Sequence, residues 1–147
     1  MWSGLPGGKA VIDGLRPKLR VLRDEKGREL FDLPKAPLPS GDEEAPVRFL
    51  PEWDNVLLAH ADRSRIIHDD HRKGLVTRNL LIPASFLVDG FVSGIWGVES
   101  TVKAKKRHVR LVLKPFRKLD KRGRLALEQE GEQLLRFIEP DAETYAV

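Results

Sequence analysis

Along the chain the apolar positions fall into short runs, broken by proline, glycine and charge. Ala10–Leu15 reads as a short helix that Pro17 ends. Leu19-Arg20-Val21-Leu22-Arg23 alternates apolar and basic, the two-residue period of a strand. Asp24-Glu25-Lys26-Gly27 supplies a turn, and Arg28–Leu33 supplies a second strand, so 19–33 reads as a β-hairpin. Pro34, Pro37, Pro39 and Pro46 then enclose Ser40-Gly41-Asp42-Glu43-Glu44. Proline removes backbone donors and this composition buries nothing, so 34–46 reads as a linker and the best domain boundary. Val47–Leu50 is a strand stopped by Pro51, and Asn55–His60 is an apolar stretch, either strand or short helix. Residues 61–79 are polar and punctuated and predict no regular element.

The clearest pattern follows. Ala84–Val88 and Phe91–Trp96 flank Asp89-Gly90, the pairing preferred in a two-residue hairpin turn because both positions take positive φ. That turn predicts Val88 opposite Phe91, Leu87 opposite Val92 and Phe86 opposite Ser93. A third strand, Val109–Leu113, pairs back after a basic turn at Lys105-Lys106-Arg107, and Pro115 ends it. Asp120 is a fair N-cap for a helix over 121–139, with Leu127, Gly131, Leu134, Leu135 and Ile138 on one face. Pro140 stops it. Strands first and one helix last predict an α+β domain: a mostly antiparallel β-sheet or small β-barrel with a C-terminal helix.

Charge changes the picture. The 147 residues carry 26 Lys and Arg against 22 Asp and Glu, a net +4 with a pI near 9.5. Between Lys103 and Arg124 stand eleven basic residues and one acid, Asp120; from Leu125 onward stand one Arg and six acids. The small total hides a segment of +10 beside one of −5. Such clustering is the footprint of a polyanion binder; the plainer alternative is a solvated basic hairpin answered by the acidic segment after it. The chain has no cysteine, which excludes a disulfide scaffold, a thiolate zinc site, a cysteine nucleophile and an iron–sulfur cluster. No apolar run approaches the ~20 residues needed to span a bilayer, and the start is not a signal peptide, so no membrane partner is expected and cytoplasm is the default. Trp2 and Leu5 are apolar groups with no element around them, which reads as a flexible tail or the cut end of a longer segment.

Few constellations carry chemistry. His68-Asp69-Asp70-His71 holds metal-ligand types, but not at the i, i+4 spacing of a helical zinc site, and reads as a polar surface turn. Glu52, Asp54, His60 and Asp62 offer acid–base groups, and equally offer turn and cap groups. Phosphate-cradling and hydrolase motifs are absent, and no cofactor is implied. The hairpin tip remains: Lys103, Lys105, Lys106, Arg107 and Arg110 are the candidate phosphate contacts, with His108 beside them. Trp96 and Phe116 have rings that stack on bases, although their places in and after strands fit core positions.

Phe49-Leu50-Pro51-Glu52-Trp53-Asp54-Asn55-Val56-Leu57-Leu58 and His60-Ala61-Asp62-Arg63-Ser64-Arg65 resemble the core of bacterial winged helix DNA-binding domain-containing proteins, which include the interstrand-crosslink DNA glycosylases. Leu87–Trp96, Lys114-Pro115-Phe116, Ala126-Leu127-Glu128 and Leu134–Phe137 extend the likeness over most of residues 20–140. The resemblance implies tandem winged helices followed by a β-barrel-like last domain, and this chain is similar only to the last third. It implies that 1–33 is a partial winged helix, a helix remnant plus wing hairpin, ahead of the 34–46 linker and a β-rich domain over 47–147. Those glycosylases carry a catalytic Gln-x-Gln; here the only glutamines are Gln129 and Gln133. No catalytic residue is therefore expected. The resemblance implies a non-catalytic domain that contacts the backbone of double-stranded DNA. The alternative is an interaction or scaffold domain that self-associates through the surface winged helices normally cover.

Overall fold

The computed structural model describes residues 6–60, 62–75 and 81–147; Trp2 and Leu5 lie outside them. The chain divides into two compact units, Met1–Glu43 and Glu44–Val147. In the first, helix α1 (Gly8–Leu15) runs into a 3-10 turn at Arg16–Lys18, where Pro17 sits among the first residues and needs no donor. Strands β1 (Arg20–Arg23) and β2 (Glu29–Asp32) then pair antiparallel, Arg20 opposite Asp32 and Arg23 opposite Glu29. None of the described residues in this unit is buried. Charge holds it instead: Arg20 donates to Asp32 at 2.6 Å and to the Ala36 carbonyl at 3.0 Å. Arg16 reaches Glu29 at 2.6 Å, and Arg28 reaches Asp24 at 2.6 Å.

The second unit is built on a five-stranded sheet in the order β3–β4–β5–β6–β7: β3 (Arg48–Leu50), β4 (Ser85–Val88), β5 (Phe91–Lys103), β6 (Lys106–Pro115) and β7 (Thr144–Ala146). Neighbours are antiparallel except β6 and β7, which are parallel. Phe86 and Leu87 are adjacent on β4, so they point to opposite faces. Phe86 packs with Leu127 of helix α4 (Lys121–Ile138), and Val109 and Leu111 pack with Leu135. Leu87 and Val92 pack on the other face with Leu57 of helix α2 (Asn55–Leu58) and with Ile67 and Leu75, the latter in helix α3 (Asp69–Leu75). The sheet is thus covered on one face by α4 and, over its first part, on the other by α2 and α3.

Several expectations need correction. The sheet is open, with β3 and β7 at its edges, and does not close into a barrel; the parallel β7 makes it mixed. Phe86 pairs with Gly94 rather than Ser93, which is an extra residue in a bulge. The cause is steric: a Cβ on Gly94 would lie 2.4 Å from the buried Phe86 ring and 2.6 Å from the Lys114 carbonyl, so only glycine fits there. Residues 55–58 are helical, and 69–75 form a helix where no element was expected. The basic turn sits at Ala104-Lys105, with φ of 50° and 64°, and Lys106 and Arg107 already belong to β6. The closing helix matches its expected span to within one residue, and Asp120 caps it by accepting from the Gly123 amide at 2.7 Å. Ile138 is exposed rather than part of its buried face.

Candidate nucleic-acid interface

Strands β5 and β6 form a long ribbon with direct pairs from Gly94 and Pro115 to Lys103 and Lys106. Directly opposed residues in an antiparallel pair share a face. The inner face carries Trp96 with Leu113, Val98 with Leu111, Ser100 with Val109 and Val102 with Arg107. The outer face carries Ile95 with Lys114, Gly97 with Val112, Glu99 with Arg110, Thr101 with His108 and Lys103 with Lys106. Helix α4 backs the inner face, and the α2–α3 layer reaches Ile95 on the outer one. Beyond Ile95 the outer face opens: a Cβ on Gly97 would meet nothing within 4 Å.

The candidate cations divide accordingly. Lys103, Lys106 and Arg110 stand on the outer face, Arg107 on the inner one, and Lys105 at the turn. Lys106 donates to Glu143 at 2.5 Å, and Arg107 to Glu139 at 3.1 Å. The acidic segment therefore answers part of the basic one. Among the described residues Lys103, Lys105 and Arg110 have no carboxylate partner, and all three are exposed. His108 meets the Thr144 hydroxyl at 2.8 Å through Nδ1. Lys114, missed as a candidate, extends the outer row; strand alternation from Arg110 would have found it. Farther along, Arg117 pairs with Asp70, and Arg122 with Glu44 at 2.7 Å, a hydrogen bond that raises the Arg122 pKa.

The other candidate groups serve structure. Asp54 accepts from the Val56 amide at 2.8 Å and caps α2; Asp62 accepts from the Ser64 hydroxyl at 2.6 Å. The His68–His71 segment is exposed at His68, Asp69 and Asp70, but it leads into helix α3 rather than forming a turn. His71 is buried in α3 with Nδ1 at 3.1 Å from the Val92 carbonyl, and His68 stacks on Phe91. Among the described residues no three His, Asp or Glu side chains gather into a metal site. Trp96 is half-buried, edge-on to Phe49, and its Nε1 donates to the Leu50 carbonyl at 2.9 Å. Phe116 packs against His71. Neither ring is presented for stacking. Gln129 and Gln133 line a groove with Arg48, Val88, Asp89 and Arg122.

The outer face of a helix-backed sheet thus carries a row of exposed cations. The chain belongs to the DNA glycosylase AlkZ-like family, whose model matches residues 1–137. Among solved structures it resembles the Streptomyces sahachiroi DNA glycosylase AlkZ, with a TM-score of 0.61 and 20% identity. The match covers 97% of this chain and 38% of that one, so the chain spans well under half the length of that protein. No curated protein matches the sequence.

Proposed function

We propose that this chain is a DNA-repair-related, non-catalytic DNA-binding module that holds double-stranded DNA by its phosphates. One observation carries the reading: Lys103, Lys105 and Arg110 are exposed in the half of the ribbon nearer its turn, and without carboxylate partners among the described residues. Lys106 and Arg107 join them when phosphate displaces Glu143 and Glu139. Family membership supports DNA as the polyanion. Residues 1–33 act in this reading as the end of a winged helix, 34–46 as a linker and 47–147 as the binding domain, in the cytoplasm of a bacterial cell. Each phosphate neutralised releases counterions, so affinity falls steeply with salt. The test is binding of a labelled duplex across a salt series. Salt-independent binding, or wild-type affinity after replacing Lys103, Lys105 and Arg110 with Gln, overturns the reading.

A second reading is a self-associating interaction domain. Phe137 is 84% exposed on α4 and Val11 is 61% exposed on α1, which favours it. Light scattering tests it: a monomer at high concentration is the result that removes it.

A further inference from the structure

Beyond the phosphate row lies an aromatic group in an unusual position. Among the described residues four non-glycine residues have positive φ, and three of them, Asp89, Ala104 and Lys105, sit in the two-residue turns of β-hairpins. The fourth is Trp53, at φ 60°, and its side chain leaves the residue 49% exposed. A bulky side chain in the left-handed region is strained, and glycine would adopt the same backbone at less cost. The chain on either side explains the backbone. Pro51 ends β3, the Trp53 amide donates to the Ile82 carbonyl at 3.2 Å, and Asp54 caps α2. The turn needs only the backbone conformation, and at it the chain holds a half-exposed indole.

We infer that Trp53 is a base-stacking residue, which takes an unpaired base of a DNA strand whose phosphates lie along the β5–β6 ribbon. The inference rests on the DNA-binding reading and adds a substrate class, duplexes with an unpaired or displaced nucleotide. The register gives the placement. Leu50 pairs with Ser85, which pairs with Ile95, and the Trp96 amide donates to the Ala84 carbonyl. The segment before Ser85 therefore runs beside β5 toward the open end of the ribbon, and Trp53 is bonded to that segment at Ile82. β3 ends at Leu50 and β4 begins at Ser85, so Trp53 sits just past these strand ends, on the side from which β5 and β6 extend as the ribbon. A paired base inside the stack offers no free face to an indole, whereas an unpaired one does, and stacking on tryptophan does not depend on which base it is.

The experiment compares two fluorescein-labelled duplexes, one intact and one with a single-nucleotide gap, across a salt series. Wild-type protein, Trp53→Gly and Trp53→Tyr are titrated, and each is melted in urea. Wild type is expected to prefer the gapped duplex about tenfold. Trp53→Gly is expected to lose that preference, keep its salt dependence and unfold at the same or higher urea; Trp53→Tyr keeps most of the preference. Equal preference in wild type and Trp53→Gly overturns the stacking role and leaves the phosphate reading standing. Absence of salt-dependent binding to either duplex by wild type overturns both. If Trp53→Gly does not fold, photo-cross-linking of wild type to a gapped duplex carrying 5-bromodeoxyuridine at the gap decides: an adduct in peptide 49–63 supports the role, and adducts only elsewhere overturn it.

Discussion

Two of the molecule's β-hairpins make opposite use of charge. The β1–β2 hairpin, residues 20–32, has four basic and four acidic residues and uses them on itself. Arg20 meets Asp32, Arg28 meets Asp24, and Glu29 receives Arg16 from outside the strands. The β5–β6 hairpin, residues 91–115, has six basic residues and one acid, Glu99. Its stability comes from Val109 and Leu111 against α4, so Lys103 and Arg110 on its polar face need no ion pair, while Lys106 and His108 bind Glu143 and Thr144. A hairpin without a core needs its ions for folding, and a hairpin with a core can leave them for a partner. Exposed ion pairs contribute little each, roughly 0–1 kcal/mol, which is why the first hairpin needs several.

The division of labour within the long ribbon breaks if its two faces are not separable. Leu111→Ala, on the inner face, is expected to cost about 3 kcal/mol in urea unfolding, since Leu111 is 1% exposed beneath α4. Replacing Lys103, Lys105 and Arg110 together by Gln is expected to weaken duplex binding about 100-fold at low salt, with the slope of log affinity against log salt shallower by roughly 2–3. Replacing Lys106 and Arg107 by Gln should weaken it less, because both already have carboxylate partners. Arg110→Gln alone should leave urea stability within about 0.5 kcal/mol. A stability loss there as large as at Leu111 would erase the contrast between faces.

Acid sharpens the contrast between hairpins. A hydrogen bond from Arg16 holds Glu29 below the ordinary carboxylate range, and one from Arg20 does the same for Asp32. Depressed carboxylates stabilise the fold at pH above their ordinary values of about 4, and that contribution is lost as pH falls through the depressed ones. Protection of the Leu22 and Leu30 amides, measured against intrinsic exchange at each pH, should therefore fall below about pH 4, while amides of Val109 and Leu111 stay protected. Equal loss of protection in both hairpins would show that charge does not distinguish them.

Much of this was legible where local chemistry decides. Asp89-Gly90 announced its turn, Asp120 its cap, and Leu127, Gly131 and Leu135 their shared buried face. The missing pieces depend on distant partners. β5 runs on to Lys103 although Glu99-Ser100-Thr101 shows no apolar alternation, because β6 supplies the pairing. Helix α3 is short and its charge unpatterned; burial of His71 and Leu75 places it. β7 is three residues long and needs β6 beside it. At the candidate site, the clustering of cations could be read from the chain, but their division into answered and unanswered could not. That division depends on Glu139 and Glu143, more than 30 residues away in sequence. Trp53 escaped notice as a functional residue because its conformation, rather than its type or spacing, is what sets it apart.

The bulge at Ser93 makes the ribbon's sidedness a matter of parity. With one extra residue in β5, Gly94 comes to face Phe86, and every later residue of the strand takes its side from that offset. Evolution of such a ribbon is then constrained to even steps. Removing one residue pair from each strand would shorten its reach by about 6.6 Å and leave each remaining side chain on its own face. Losing a single residue from each strand between the bulge and the tip would turn the tip lysines toward the helix and their inward neighbours toward solvent. Related chains should therefore differ in ribbon length by even numbers per strand, and an odd difference should come with a second bulge that restores the count.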